Sequence, residues 1–303
     1  MSMTESASQT LVSIGVPVRN ADCWIGAALD QLIAQTHSAI EIILSDNNST
    51  DGTQEVCRAF AARDSRIRYI RHDHTLGAAE HFRYVLDQAR SDYFMWAAHD
   101  DRHSLNYVEV LLGALLRDPT ASLAFSDVAI FHQIDAWRNA QRIPYTFACD
   151  GRHRFWRGLL ARDYIREGYL HIYGLIRRSA LDGYGWPTIE LGGDRPLLLY
   201  LWRRGRFVRA EGACFHCYKP EHKKTHEQRA TYTSGKGLRP FPYTRLSWAC
   251  AQAAQTAESL EGRTRCVHLV FLMLLAKEGA RMTNMRLRRI AGQTLRRLRT
   301  RGT

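Results

Sequence analysis

Two adjacent carboxylates, Asp100 and Asp101, directly follow the apolar, aromatic-rich run from Tyr93 to Ala98. A run of this length predicts a buried strand, and open α/β sheets bind ligands outside the carboxyl ends of such strands. Neighbouring carboxylates repel each other, and a divalent metal ion that also holds phosphate oxygens offsets this repulsion. The pair therefore points to a metal site at a strand end, with two solvated turn residues as the alternative interpretation.

The elements that would position this pair alternate between strand and helix from residue 11 to residue 131. Strands are predicted from apolar runs, and helices from apolar residues at i, i+3 and i+4 spacing. The predicted order is strand 11–18, helix 21–35, strand 40–44, helix 54–61, strand 67–70, helix 78–89, strand 93–98, helix 105–117 and strand 122–131. Repeated units of this length predict an α/β fold with a mainly parallel sheet.

A loop of turn and capping residues, Ser45 to Thr53, follows the second predicted strand. Ser49, Thr50 and Asp51 suit the start of a helix, so a structural role is a strong alternative to ligand binding for these three. Asp46 precedes the capping set at the strand end. It is therefore the better candidate for contact with a ligand.

Four motifs in this order resemble those of family 2 glycosyltransferases of the GT-A fold. They are Pro17-Val18-Arg19-Asn20 after the first strand, the loop Asp46 to Thr53, Gly77 before the third helix, and Asp100-Asp101. The resemblance covers roughly residues 11 to 205. It implies an α/β, Rossmann-like central sheet flanked by helices, and an enzyme that uses a nucleotide-diphosphate sugar as its donor.

The resemblance also implies which residues bind the donor. Asp46, or its neighbour Asn47, would hydrogen-bond the base or the ribose, and the chain near Pro17 and Arg19 would shape the nucleoside pocket. His81 stands where relatives often carry asparagine, and it would donate a hydrogen bond to the nucleotide unless it is a surface histidine. These assignments place the nucleoside over the ends of the first two strands.

By the same resemblance, Asp100 and Asp101 form the family's D-x-D site, which holds Mg²⁺ or Mn²⁺ on the diphosphate of the donor. Asp100 would thus serve both the donor and the metal. Ala98 occupies the place where many members have the first aspartate of the motif. Because octahedral Mg²⁺ usually keeps waters and takes phosphate oxygens, fewer protein ligands can suffice.

Asp194 is the candidate catalytic base. In inverting members of the family, an aspartate at the mouth of a helix in the second half takes the proton from the acceptor hydroxyl as it attacks the anomeric carbon. Gly193-Asp194 matches that place with one acid instead of a pair, just before the apolar stretch that begins at Pro196. The alternative is that Asp194 only caps this helix.

A cluster of cysteine and histidine, Cys214-Phe215-His216-Cys217, is followed by His222 and His226. Its two cysteines fall in a predicted strand, where alternation would point them to opposite faces, and this disfavours a zinc site. A second hypothesis is that His216, His222 or His226 completes the shell of the catalytic metal, as a late histidine does in some GT-A enzymes.

The chain carries a formal net charge of +12, which indicates anionic partners. The segment from Arg281 to Thr303 holds eight arginines and no acid, around an apolar face formed by Leu287, Ala291, Leu295 and Leu298. Leucines interleaved with arginines favour an anionic membrane surface over nucleic acid, and lipid-linked acceptors are usual in the family. A solvated helix is the remaining alternative.

The distribution of cysteines and of apolar residues predicts a cellular compartment. Seven cysteines at irregular positions do not form a disulfide framework, the first ten residues lack an apolar signal-peptide core, and the longest apolar run is too short to span a bilayer. We therefore expect a cytoplasmic protein, peripheral at the inner face of the membrane.

The expected organisation is a disordered N-terminus (1–10), a GT-A domain (11–240) and a basic helical extension (241–303). Residues 11–131 would bind the nucleotide and 132–240 the acceptor. The expected activity is metal-dependent, inverting transfer to a glycan or lipid-linked acceptor in bacterial surface polysaccharide or glycoconjugate synthesis. The alternatives are a non-catalytic nucleotide-sugar-binding module, and a nucleotidyltransferase, whose glycine-rich phosphate loop is absent after the first strand.

Overall fold

The computed structural model describes residues 8–140, 142–143, 168–187, 193–219 and 249. The expected C-terminal extension lies outside these residues apart from residue 249, and so do His222 and His226. Residues 8 and 9 are helical, although disorder was expected through residue 10. Predictions that concern residues outside the described part, including the arginine-rich segment, stay predictions.

The first half of the chain builds four parallel strands joined by helices. The strands are β1 (Val12–Val18), β2 (Ile40–Asp46), β3 (Ile67–Arg71) and β4 (Tyr93–Trp96). The helices between them are α1 (Asp22–Ile33), α2 (Thr53–Arg63) and α3 (Ala78–Asp87). Their spatial order is β3-β2-β1-β4, so the order reverses beside β1. Open α/β sheets bind ligands outside the strand ends at such a reversal.

The second half extends the same sheet and adds short antiparallel pairings. Its elements are β5 (Arg102–His103), α4 (Tyr107–Arg117), β6 (Ala121–Phe131), β7 (Arg142–Ile143), β8 (Leu175–Arg177), α5 (Asp194–Arg204) and β9 (Arg206–Tyr218). The order continues from β4 as β8-β6-β9-β5, and β7 pairs with β6. The described residues also include three 3₁₀ segments: Ile134–Asn139, Gly168–Tyr173 and Arg178–Leu181.

The central strands β1, β2 and β4 are buried on both faces, as their apolar sequences require. Every residue of β1 is buried, and the core runs across β2 and β4 into α1 and α4. Gly15 in β1 makes room for the ring of Phe94 in β4, because a Cβ at residue 15 would lie 2.7 Å from that ring. The tight contact holds β1 and β4 together at the reversal in strand order.

The structure confirms the predicted α/β fold and the mainly parallel sheet. The parallel ladders are long, with seven paired residues between β1 and β2 and nine between β6 and β9, whereas each antiparallel pairing in the described part joins two. The predicted strand 93–98 ends earlier, at Trp96, and residues 178–181 form a 3₁₀ segment. Among the described helices, none combines the length and the apolar character that a bilayer crossing requires.

Candidate active site

The candidate site lies at the carboxyl edge of β1, β2 and β4. These parallel strands place Val18, Asp46 and the Asp100-Asp101 pair at one edge of the sheet, on either side of the reversal beside β1. The fold therefore brings together the strand ends that carry the predicted donor-binding and metal-binding residues.

Asp101 is a buried carboxylate, 5% exposed, at the start of the segment that leads into β5. Its Oδ1 accepts a hydrogen bond from the backbone N–H of Tyr218 at 2.8 Å. Burial raises the pKa of the Asp101 carboxyl well above its usual range, and the neighbouring charge of Asp100 raises that pKa further. Asp101 is thus a strongly desolvated acid that lies next to a second acid.

Among the described contacts, the guanidinium of Arg102 forms no ion pair with the carboxylate of Asp100 or Asp101. Its guanidinium donates to the backbone carbonyl of Asp101 at 2.8 Å, and burial lowers the pKa of Arg102. Asp100 is half-buried, so it is open to a ligand on one side. A bound cation would offset the repulsion from Asp100 that contributes to the raised pKa of Asp101.

The donor set fits a divalent cation of the Mg²⁺ or Mn²⁺ type, which prefers carboxylate oxygens. Asp101, whose Oδ1 is bonded to Tyr218, and Asp100 supply two adjacent carboxylates. Within the described residues, no group of three or more His, Cys, Asp or Glu side chains is placed to hold a metal. Water and the phosphate oxygens of a substrate would therefore have to complete the coordination.

His216 lies close to this pair in the sheet but not beside Asp101. It is directly opposite Arg102 in the antiparallel β5–β9 pairing, so these two side chains share one face. Asp101 instead contacts the thiol of Cys217, whose pKa is raised by burial and then by Asp101. Both cysteines of the predicted cluster are buried within β9. A role for His216 as a metal ligand stays a prediction.

Asp46 is fully buried at the end of β2, and the protein itself supplies its partners. Its Oδ1 accepts from the N–H of Ser49 at 2.9 Å. Its Oδ2 accepts from the hydroxyl of Tyr69 at 3.0 Å and forms an ion pair with Arg71 at 2.8 Å. Burial, and then the bond to Asp46, raise the pKa of Tyr69. The exposed part of this network is the guanidinium of Arg71.

Asn47 and His81 are also engaged inside the protein. The side chain of Asn47 donates to the carbonyl of Leu76 at 3.0 Å and accepts from the N–H of Leu76 at 2.7 Å. His81 is 4% exposed, so it is not a surface histidine, and its Nε2 lies 3.0 Å from the hydroxyl of Ser45. Both residues therefore fasten α3 and the loop before it to β2.

The loop after β1 is joined to the loop after β2. Pro17 is buried opposite Ser45, and Arg19 is exposed just beyond the strand. Asn20, in the left-handed region at φ 49°, accepts from the N–H of Thr50 at 2.9 Å and donates its own N–H to Ser49 Oγ at 3.0 Å. These bonds favour the structural interpretation of the capping residues.

Asp194 begins α5 in the second half of the chain. Gly193 occupies the N-cap position, so Asp194 is a residue of the first turn and not the cap itself. Asp194 is half-buried, and burial raises the pKa of its carboxyl although the charge of Arg195 opposes this shift. Helix α5 packs against β6 and the 3₁₀ segment Gly168–Tyr173, so Asp194 belongs to the second half of the sheet.

Sequence reasoning missed the residues of β3 and β9 that complete the site. Tyr69 and Arg71 alternate along β3 and reach Asp46, and Tyr218 at the end of β9 reaches Asp101. The alternation of Tyr69 and Arg71 next to a predicted acidic strand end was the available signal. The pairing of β9 with β5 had no local signal, because it joins segments more than 100 residues apart.

Comparison with known proteins agrees with this geometry. The family model described as glycosyl transferase family 2 matches residues 13–185, a range that contains Asp46, His81, Asp100 and Asp101 but not Asp194. The glycosyltransferase GlyG of Streptococcus pneumoniae is 33% identical over 101 residues, which cover 33% of this chain and 34% of GlyG. The chain thus spans about a third of the length of this curated relative.

Solved structures share the fold at low sequence identity. S. aureus TarS 1-349 in complex with UDP-GlcNAc has a TM-score of 0.66 and 15% identity, covering 87% of this chain and 72% of that one. The mannosyltransferase PcManGT from Pyrobaculum calidifontis, in complex with GDP-Man and Mn²⁺, has a TM-score of 0.51 and 16% identity, covering 89% and 79%. These likenesses agree with the expected GT-A fold. With the family match over more than half of its length, the chain belongs to the family 2 glycosyltransferases.

Proposed function

We propose that this protein transfers a glycosyl group from a nucleotide-diphosphate sugar to a glycan or lipid-linked acceptor, with inversion and with Mg²⁺ or Mn²⁺. The observation that carries the proposal is the Asp100-Asp101 pair, buried in part beyond the end of β4 with no guanidinium on its carboxylates among the described contacts. Such a pair is stabilised by a cation that also binds a diphosphate.

Asp100 and Asp101 would hold the metal ion, and Asp100 would also face the donor. When bound, the ion supplies positive charge to the leaving diphosphate. Tyr218 fixes one oxygen of Asp101 through its backbone N–H, and the second oxygen would be the one to bind the metal. The Mn²⁺ in the structure of PcManGT supports this choice of metal class.

The nucleoside would lie over the ends of β1 and β2, beside Pro17, Arg19 and the loop that contains Asn47. Because Asp46 is fully buried, a ligand would meet the partly exposed guanidinium of Arg71 first, and Asp46 would orient that guanidinium. The donors bound by the structural neighbours, UDP-GlcNAc and GDP-Man, define the substrate class that we propose to test.

Asp194 would act as the general base toward the acceptor hydroxyl. Burial raises the pKa of its carboxyl, which moves it toward the operating pH, where a base is most effective. Its proton acceptance would accompany attack of the hydroxyl oxygen on the anomeric carbon, from the side opposite the leaving diphosphate. The bond to the diphosphate oxygen breaks as the new glycosidic bond forms.

Our proposals for the acceptor and for the cellular location rest on the sequence. The arginines between Arg281 and Thr303 would attach the protein to anionic lipid at the inner face of the membrane, where a lipid-linked acceptor is available. We infer a cytoplasmic, peripheral enzyme of surface polysaccharide or glycoconjugate synthesis.

The proposal is tested with the full chain and a panel of nucleotide sugars that includes UDP-GlcNAc and GDP-mannose. Thermal shift in Mn²⁺, in Mg²⁺ and in chelator identifies a donor, and release of nucleotide with candidate acceptors measures transfer. We expect one donor class to stabilise the protein only when the metal is present. A donor that binds equally well in chelator would contradict the metal role, and binding without transfer to any acceptor would favour the non-catalytic binding module.

A further inference from the structure

A triad of polar side chains, Ser45, His81 and His72, lies beneath the carboxyl ends of β2 and β3. The Oγ atom of Ser45 is 3.0 Å from Nε2 of His81 in α3 and 2.9 Å from Nε2 of His72, the residue after β3. Ser45 is fully buried, His81 is 4% exposed and His72 is half-buried. The triad therefore runs from the surface of the site into the core.

Hydrogen-bond accounting shows that the three side chains suit one another. A serine hydroxyl has one donor and can accept twice, and a neutral imidazole has one donor and one acceptor nitrogen. For both contacts to be hydrogen bonds, at least one histidine must donate to Ser45, and the hydroxyl can satisfy both rings. If both histidines were protonated, two positive charges would lie on rings 5.4 Å apart. This repulsion disfavours the doubly charged state.

The groups around the triad leave its two histidines neutral near neutral pH. Burial, and then His72, lower the pKa of His81 to about 4, against a small opposing effect from Asp46 of β2. Burial and His74 lower the pKa of His72, whereas Asp46, Asp73 and Glu80 of α3 raise it. The ring of Tyr84 packs on His72 at 4.5 Å and adds no charge.

The triad is one of two anchors for the loop between β3 and α3. His72 begins the loop and is tied to β2 twice, through Ser45 and through its own N–H to the carbonyl of Asp46 at 2.9 Å. Leu76 ends the loop and is tied to β2 by both side-chain atoms of Asn47. Arg71, the partner of Asp46, directly precedes the first anchor.

We propose that His72, Ser45 and His81 are positioning residues that clamp the β3–α3 loop against β2 and thereby hold Arg71 in place for the nucleoside of the donor. This inference rests on the proposed function. His81 acts through Ser45 and His72, and it does not itself contact the nucleotide.

A matched pair of variants tests the clamp without any donor. Ser45→Ala removes the bridging hydroxyl at the carboxyl edge of the sheet. Ser13→Ala removes an equally buried serine at the amino end of β1, which bonds Glu41 at 2.5 Å and accepts from the N–H of Ser91 at 3.1 Å. Hydrogen exchange of the loop residues 72–77 should become about tenfold faster in Ser45→Ala and stay unchanged in Ser13→Ala. Equal exchange in the two variants would overturn the clamp.

Donor binding then tests the positioning role. With the donor identified from the panel, Ser45→Ala should raise its KM by about tenfold and change kcat by less than about threefold, and Ser13→Ala should change neither. His81→Gln keeps a side-chain donor or acceptor for Ser45 without titrating, so its loop exchange and KM should stay close to those of the wild type. His81→Leu should show the faster exchange and the raised KM expected of Ser45→Ala. A fall in kcat together with a rise in KM, of similar size in both serine variants, would indicate general destabilisation and overturn the proposal. A wild type that binds no donor would refute the proposed function and the donor role of the clamp, while loop exchange would still decide whether the clamp exists.

Discussion

The carboxyl ends of β2 and β4 each carry a buried acid, and the protein treats the two acids differently. Asp46 at the end of β2 has an arginine, a tyrosine hydroxyl and a backbone N–H as partners. Asp101 beyond β4 has a backbone N–H and a thiol as partners, lies next to the acid Asp100, and feels the charge of Arg102 without a direct ion pair among the described contacts. Both are 5% exposed or less.

The comparison shows where the site is incomplete without a ligand. A buried carboxylate costs free energy unless it is paired or bound to a metal. The end of β2 meets this requirement with the protein's own side chains, so its acid can serve as a fixed support. The end of β4 has no such ion pair among the described contacts, which is why we propose the metal there and the nucleoside at β2.

The largest expected effect comes from removing the charge at the end of β4. Asp101→Asn keeps an acceptor for the N–H of Tyr218 but loses the charge that holds a metal, so metal-dependent donor affinity should fall by about 10³-fold. Calorimetric titration in Mn²⁺ and in chelator measures this loss. Asp127→Asn is the control, because Asp127 of β6 pairs with Arg209 of β9 at 2.7 Å. An Asp101→Asn variant that binds the donor like the wild type would refute the metal assignment.

The acid of the second half should behave differently from both strand-end acids. Asp194→Asn should leave donor affinity nearly unchanged and lower transfer by about 10²-fold or more, because a general base acts in the transition state. Single-turnover rates with a competent acceptor measure the step, and the donor titration on the same variant is the internal control. Transfer that survives within a few-fold would show that Asp194 only supports the first turn of α5.

The sequence alone predicted the parallel half of the fold because its signals are local. Apolar runs with capping residues at their ends predicted β1 to β4 and the helices between them, and each connection is short. The pairings of the short antiparallel strands β5 and β8 were not predicted, since each joins residues far apart in the chain and has two or three residues of its own.

Candidate residues could be predicted by type and place but not by orientation. Asp100 and Asp101 follow from an acidic pair after an apolar run, and the structure leaves them short of internal partners. Asp46 was predicted from the same kind of signal, yet its charge is met by Arg71, four residues into the next strand. A strand sequence does not state which neighbour will share its face, so the two cases look alike before the sheet is known.

A stability experiment sharpens the contrast between the two strand ends. In chelator, Asp46→Asn should lower the free energy of unfolding by about 3 kcal/mol, because it leaves the donors of Tyr69 and Arg71 short of a buried acceptor. Asp101→Asn should raise it by about 1 kcal/mol, because it removes a buried charge that repels Asp100. Urea unfolding of both variants checks the two signs. Destabilisation of similar size in both would mean that Asp101 has a compensating partner within the protein.

The smallest expected effect is an acid sensitivity at the β2 end. His81 has a pKa of about 4 in the folded protein and an ordinary value of 6.5, so the unfolded chain binds the proton first as the pH falls. The stability that neutral His81 contributes is complete above about pH 6.5 and is lost progressively toward pH 4. Between about pH 7 and pH 5 this loss amounts to about 2 kcal/mol. Urea unfolding of the wild type and of His81→Gln across that interval measures it, because glutamine keeps a bond to Ser45 and does not titrate. If both proteins lose stability equally, the acid sensitivity arises elsewhere in the molecule, and the neutral histidine is not what the β2 end depends on.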